Sequence, residues 1–587
     1  MEAHDRYFRD VKSFYSVSGN LFKRRGAWFG LFVRANGYGM AKLHLATVHG
    51  AAFRAKEGSK LIELYPTHDG HRVPFVVQGE ADELTLLTRY GNVRFTFGSE
   101  TLLMAEGDKG MGLAFEKSME MHETVKPRKD GAWEAAFRWS CSILFKGVNG
   151  SGFSFGEYWH WPQLSSGEIQ GSTTPDAGGG FTLVMEEFTH AAMLHDDYPS
   201  YAAAKADMCA DWERFYHAMP EFIEPYEQGR AQATYTLWSY LLSPTPGIAH
   251  NMIMMLAPSE VASQWQMCQN AVALEPHLPL SIDLLLSPLD RVSPYGQFSD
   301  LYNDATTVTQ MIKPPVHGWA LKRIMARRDL RVDLPREQLL TLYTAVGRWG
   351  NWFLTMRDED GDGLPAYEHG DETGFDDSTL FREHMQLATP DLSAYLVLLY
   401  EAEADLARML DRPDEAAEWQ EKSRKMLDAM LRLQWDGEHF CAVVPYTGER
   451  VYSLSLLHYI PAVLGDRLPK EILDKLCEDL TREGEFLTEF GLATERLDSD
   501  WLEATGMSIC RGNIVPPGMV YICSGLLDSS RRDAGKRITE RYCTALLKQG
   551  MPFVIHPLFG AAARNGGTWP ACVYTILCRM LSDIREE

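Results

Sequence analysis

Between Arg357 and Ser378 the chain reads RDEDGDGLPAYEHGDETGFDDS, with nine acidic side chains in 22 positions. Carboxylates at that density can ligate a hard cation, move protons, or simply face water. Asp358, Asp360 and Asp362, followed by Gly363, reproduce the alternating oxygens and sharp turn that open a calcium loop of the EF-hand kind. The second half departs from it, because the twelfth position is His369 and Glu368 falls one step early. A structural calcium site at these three aspartates therefore competes with a plain Gly-Asp turn ending the preceding helix, and no other cofactor is implied. The continuation, GDETGFDDS, alternates carboxylates with Gly and Phe and precedes the next helix by a dozen residues, a loop able to aim one carboxylate inward.

The elements around this loop differ in kind along the chain. Residues 20 to about 195 carry short apolar segments such as AWFGLFVRA, VRFTFG and FTLVMEEF separated by Gly, Asp and Asn turns, the texture of a β-sandwich. After the bridging stretch DDYPSYAAAKADMCADWERFYHAM the texture becomes helical. Leu339, Leu342, Tyr343, Val346, Trp349 and Phe353 recur at steps of three and four, one buried helical face. A second helix starts at TPDLSAYL, with Thr389 to cap and Pro390 in the first turn. Further helices are expected over 227–243, 260–275, 299–312, 317–328, 413–434, 469–481, 515–528, 530–548 and 568–584, with shorter patches near 280 and 455. Consecutive helical hairpins can close into a ring whose inner-helix ends converge on a cavity; a helical solenoid or an irregular α domain is the competing arrangement. The expected division is a sandwich over residues 1–195, a helical linker over 196–225 and a helical domain over 226–587.

Composition narrows the partners. A net charge of -23 opposes nucleic acid and anionic membrane surfaces at long range. No apolar run reaches the ~20 residues needed to span a bilayer, and the N-terminal MEAHDRYFRDVKSF lacks the apolar core of a signal peptide, so a soluble, cytoplasmic protein is expected. Ten cysteines without CxxC pairs, several of them in apolar helical patterns, read as reduced and structural. Nothing in the sequence sets an oligomeric state.

The loop motif also carries a likeness. ETGFDDS resembles the E-S-G-x-D-(N/D)-S signature of the six-hairpin glycosidases, especially glycoside hydrolase family 63 and mannosylglycerate-hydrolase-like enzymes, with Thr373 in place of the usual Ser. In the same order, SQWQMCQNAVAL (263–274), YGQFSD (295–300), KPPVHGWAL (313–321), FGLATE (490–495) and CRGNIVPP (510–517) resemble further segments of that family. The resemblance covers about residues 225–587 and implies a multidomain fold class, an N-terminal β-sandwich followed by an all-α (α/α)6 six-hairpin toroid. It implies glycoside hydrolysis by two carboxylates, an acid that protonates the leaving oxygen and a base that activates water on the opposite face, with inversion. The acid maps to Asp376, with Asp371, Glu372 and Asp377 beside it, whose negative charge would help to keep it protonated. The family's base is a Glu before the last helix, where this chain has GMPFVIHPLFGAAARNGGTWP and no carboxylate. Glu495 is the preferred substitute and His556 the alternative. Trp265, Trp319, Phe375 and Trp569 are expected to stack on sugar, and Gln266, Gln269, Gln297 and Arg511 to bind hydroxyls; Gln266 stands where the family has Asp.

The expected substrate is thus a small carbohydrate, a soluble and α-linked glycoside attacked from its end. Three rivals stay open: a phosphorylase on the same ring, with Arg511 or Arg564 in an anion pocket; a sugar epimerase or isomerase using histidines such as His317, His369, His384 or His556; and a sugar-binding protein without activity.

Overall fold

The fold is that of a computed structural model, which describes residues 20–35, 41–50, 60–138, 140–156, 159–190, 195, 197–255, 262–505, 508–563 and 566–586. The chain divides into two compact units: residues 1–219 with 234–262 and 303–306, and residues 220–233 with 263–302 and 307–587.

The first unit is built from two eight-stranded antiparallel sheets. One runs, in spatial order, Leu21–Phe22, Phe29–Ala35, Ala41–Thr47, Lys60–His68, Met111–Ser118, Glu168–Thr174 and Gly152–Phe155, with His71–Arg72 added to Lys60–His68. The other runs Thr124–Pro127, Trp133–Ala136, Ser142–Val148, Phe181–Phe188, Leu102–Gly107, Asn92–Phe97, Leu84–Leu87 and Val76–Gly79. Aromatics from the two inner faces hold the sheets together. Phe115 of the first sheet meets Phe145 of the second edge-on at 5.2 Å, and Phe153 stacks on Phe145 at the same distance. Helix α1 (Tyr201–Ala218), capped by the Ser200 side chain on the Ala203 amide, ends this sheet-rich part.

The second unit is a closed ring of helices. Its inner members are α2 (Gln264–Ala273), α4 (His317–Met325), α6 (Pro390–Met409), the 3-10 segment Leu456–Arg467, α9 (Pro516–Leu527) and α11 (Thr568–Glu586). Each packs on the next, and α11 returns to α2, so six elements complete a circle. Outside them stand α3 (Leu278–Leu286), α5 (Arg336–Met356), α7 (Pro413–Leu433), α8 (Lys470–Thr481) and α10 (Arg532–Gln549). Inner and outer members differ as their surroundings require. Every residue of α9 is buried, whereas α7 buries one stripe, including Ala416, Trp419, Met426 and Met430. Tyr521 of α9 plugs the ring: Trp319 and Tyr395 each meet it edge-on at 5.1 Å, and Trp265 donates its indole N–H to the phenol oxygen at 2.5 Å.

Two details stand out against expectation. Residues 299–312 are not helical; the Asp300 amide bonds to the Met311 carbonyl and the Val308 amide to that of Leu301, an extended hairpin. The β-branched run Thr306, Thr307, Val308 and Thr309 favours that backbone over a helix. All ten cysteines are free thiols and nine are buried, as the apolar patterns around them require. Among the described residues no helix is long and apolar enough to cross a membrane.

Candidate active site

The signature loop is shaped by its own small residues. Gly370–Thr373 forms one 3-10 turn, closed by Gly374 in the left-handed region at φ 77°. A Cβ built on Gly374 would stand 2.0 Å from a ring carbon of Trp265, so only glycine fits between that indole and the loop. Thr373 accepts from the Phe375 amide at 3.0 Å and donates to the Gly370 carbonyl at 2.8 Å, the service a serine hydroxyl could also give. Ser378 then ties the loop to Ser455 at 2.9 Å. Asp376 is thereby presented with about two-fifths of its side chain, 41%, open to solvent.

Three carboxylates surround one ammonium here. Lys313, just before the Pro-Pro start of α4, donates to Asp376 at 3.1 Å, to the Asp371 carboxylate at 3.4 Å and to the Asp371 carbonyl. Asp300 also acts on it electrostatically. Burial opposes the charge on Lys313, but the three carboxylates outweigh burial and hold its pKa above the ordinary lysine range. Apart from the open side, protein crowds Asp376. Desolvation, together with the neighbouring Asp371, raises its pKa to about 6 although Lys313 pulls the other way. Burial also pushes Asp371 up, yet Lys313 and the hydrogen bond shared with Asp376 outweigh it and leave Asp371 below the usual range. As pH falls, the first proton the pair takes up therefore goes mainly to Asp376. Asp300 is fully buried, accepts from the Ser263 hydroxyl at 3.0 Å, and is pushed to about 7 by desolvation.

Other residues expected at the site have different surroundings. Glu372 is not on a cavity wall: it has no exposure, and Arg357 grips both its oxygens at 2.7 and 2.8 Å while the Glu368 amide donates to one of them. Asp377 accepts from the Ser508 hydroxyl and the Ile509 and Cys510 amides, which pins the 508–510 turn beside the acid loop. Arg511 pairs with Glu503 and lies 3.6 Å from Asp377. Trp265 and Trp569 meet edge-on at 5.0 Å, and Phe553 stacks on Trp569 at 5.2 Å. Phe375 is likewise buried. These rings pack the floor rather than stand free to stack on a sugar. Gln266 donates to Thr568 at 3.0 Å and Gln269 to Tyr521 at 2.6 Å, each leaving its buried amide oxygen without a partner. Gln297 is turned to the Thr309 carbonyl. Trp319 lies elsewhere: with Lys322, Arg323, Arg467 and Asp528 it lines a separate cavity of about 530 Å³ at the C-terminal ends of α4 and α9, whereas the acid loop sits at their N-terminal ends.

Neither candidate base is free. Glu495 is almost fully buried and accepts from Thr379 at 2.8 Å and Ser499 at 2.6 Å. Burial raises its pKa, and those two hydroxyls partly offset the rise. His556 accepts the Leu558 and Phe559 amides at Nδ1, which occupies that nitrogen and places the ring N–H on Nε2. Arg564 lies outside the described residues. Asp358, Asp360 and Asp362 do come together, with ligand oxygens all within 4.8 Å of one another, a hard-oxygen set that fits calcium. Asp371 does act on Asp376 as its position in the loop suggested, whereas Lys313 and Asp300 escaped the sequence reading, as did Trp501, half exposed beneath the Arg382 guanidinium on the loop that Glu503 joins to Arg511. The one available signal was position: Lys313 opens one of the segments that carry the family likeness, and Asp300 closes another.

Residues 297–566 match the family described as the mannosylglycerate hydrolase MGH1-like glycoside hydrolase domain. Among solved structures, the fold is similar to the GH63 mannosylglycerate hydrolase of Thermus thermophilus in complex with Tris, with a TM-score of 0.50 and 15% identity over 59% of this chain and 98% of that one. The same enzyme with Tris and D-glycerate gives 0.50 and 16% over the same shares. A gh92 family glycosyl hydrolase, ccman5, is similar over 97% of this chain and 86% of its own, with a TM-score of 0.56 and 10% identity. No curated protein sequence matches. The ring of helices, the signature loop at its helix starts and the match over 297–566 agree with the likeness read from the sequence: the chain is a glycosidase that, over residues 297–566, is similar to the mannosylglycerate hydrolase MGH1-like glycoside hydrolase domain.

Proposed function

We propose that this glycosidase hydrolyses a small, soluble, α-linked glycoside from its end, with inversion, and that Asp376 is the general acid. The observation that carries the reading is the carboxyl of Asp376, raised to about 6 by burial and by Asp371 beside it, and open on one side. A carboxyl so placed keeps a useful protonated fraction near neutrality and can give its proton to a departing glycosidic oxygen. Asp371 touches Asp376, closer than the ~5 Å or more that separates paired catalytic carboxyls, so its part is to tune the acid. Attack at the chain end is supported by the plug of Tyr521, Trp265, Trp319 and Tyr395, which gives the ring a floor where an internal cleavage site would need an open groove.

Water needs a base. Glu495 is assigned that role on condition that Ser499, four residues on, yields its hydrogen bond to the attacking water. The test is to release sugar from α-mannosides and α-glucosides and follow the first-formed anomer by NMR. Asp376→Asn should lower kcat by roughly 10²–10⁴-fold with the fold intact, and Glu495→Gln by a similar factor. Full activity in Asp376→Asn refutes the acid. A loss of only a few-fold in Glu495→Gln reduces that residue to a loop tie.

A further inference from the structure

The basic side chains around Asp376 are already matched by acids. Lys313 has three N–H donors and three acceptors, and only 10% of its side chain reaches solvent against 38% and 41% for Asp371 and Asp376. The two carboxylates therefore stand between the ammonium and anything that enters. Arg511 lies between Glu503 and Asp377. Further out, Arg382 pairs with Glu383, and Arg496 grips Asp498 with two nitrogens. Around Asp376 itself stand Asp300, Asp371, Asp376, Asp377 and Glu503 against Lys313 and Arg511. With protons on both Asp376 and Asp300, three carboxylates still oppose two cations. His369, half-buried, is the further basic group whose charge acts on Asp371.

From this balance we infer the substrate class: the glycoside carries no anionic group beside the bond that breaks, and its leaving group is a neutral polyol or a neutral sugar. The inference rests on the glycosidase reading above and goes beyond it, since a carboxylate-bearing leaving group such as glycerate would meet an excess of negative charge, the lysine and arginine described beside Asp376, Lys313 and Arg511, being already paired with acids. The same balance disfavours Arg511 as a pocket for an attacking phosphate, since Glu503 and Asp377 already hold it. One excess charge about two water diameters away, in a site partly open to solvent, is worth on the order of tenfold in kcat/KM.

Matched pairs test this directly: α-mannosylglycerol against α-mannosylglycerate, and α-glucosylglycerol against α-glucosylglycerate, each pair differing only in a CH₂OH or a carboxylate. The full chain is expected to favour the glycerol glycoside of at least one pair by about tenfold or more in kcat/KM. The ratio should shrink several-fold in Glu503→Gln, which releases Arg511, and in high salt. Isothermal calorimetry with the Asp376→Asn protein supplies a reading independent of turnover. Glycerate glycosides cleaved or bound as well as their glycerol partners overturn the inference. Binding that favours the glycerol partner while all four compounds stay intact upholds the inference and sinks hydrolysis instead. Neither binding nor cleavage of any of the four overturns both.

Discussion

Replacing Lys313 by methionine removes a charge while keeping an unbranched stem of similar length. The ammonium stands 3.1 Å from Asp376 and stabilises its ionised form. At that distance a unit charge interacts by about 1.3 kcal/mol in bulk water and about 5 kcal/mol at an effective dielectric constant of 20. Because two-fifths of the Asp376 side chain meets solvent, the lower end applies. One pKa unit is about 1.4 kcal/mol, so the substitution should raise Asp376 by roughly one to two units. The sign follows from the charge: losing a cation favours the protonated carboxyl, and Asp371, freed of its partner, adds repulsion in the same direction. The proton on Asp376 would then persist well above pH 6, and the basic limb of kcat/KM should move up by the same one to two units. Titration of ¹³C-labelled aspartate by NMR reads the shift without any substrate. A limb or a titration that stays in place, or moves to lower pH, refutes the assignment of Asp376 as the proton-holding member of the pair.

Arg357→Met should destabilise the fold by about 3–5 kcal/mol in urea denaturation, because it leaves the fully buried Glu372 carboxylate without its bidentate partner. Arg357→Met combined with Glu372→Gln should recover a large part of that loss. Calcium at millimolar level should raise the melting temperature of the chelator-treated protein by a few degrees through Asp358, Asp360 and Asp362, and Asp360→Asn should remove the rise. An unchanged melting curve leaves these residues as a turn. Trp501, half exposed on the loop that Glu503 ties to Arg511, is offered as a platform for the leaving group: Trp501→Ala should then raise KM several-fold with little change in kcat, and an unchanged KM removes it from the site.

How much of this could be read from sequence depended on whether a residue's role is local. The sandwich was legible because strand alternation and turn residues are short-range signals, and α5 because its apolar face repeats over its whole length from Leu339 to Phe353. The inner element Leu456–Arg467 showed only as a patch near 455. It is a 3-10 segment with Pro461 inside and Gly465 at φ 55°, so neither the 3.6-residue period nor ordinary helix chemistry marks it. The acid loop was legible because Gly374 and Thr373 shape it from within. Lys313 was not, since its partners lie 58 and 63 residues away. The same blindness misplaced Glu372, whose acidity is visible in the sequence but whose burial against Arg357 is set by packing.

The segment before α11 completes the argument about where water can be activated. Phe553 stacks on Trp569, Trp569 stands edge-on to Trp265, and Trp265 packs against Gly374, two residues before Asp376. These rings form a continuous aromatic wall behind the signature loop. A carboxylate placed at Phe553 would sit among rings, without a donor, and its ionised form would be strongly disfavoured. The polar side is opposite in character: Asp377, Glu495, Ser499, Glu503 and Arg511 form one hydrogen-bonded and ion-paired rim over residues 495–511 and the acid loop. On the proposed assignment of Glu495 as base, the attacking water approaches from that rim. This ties the choice of base to the same acidic surface that sets which leaving groups can enter.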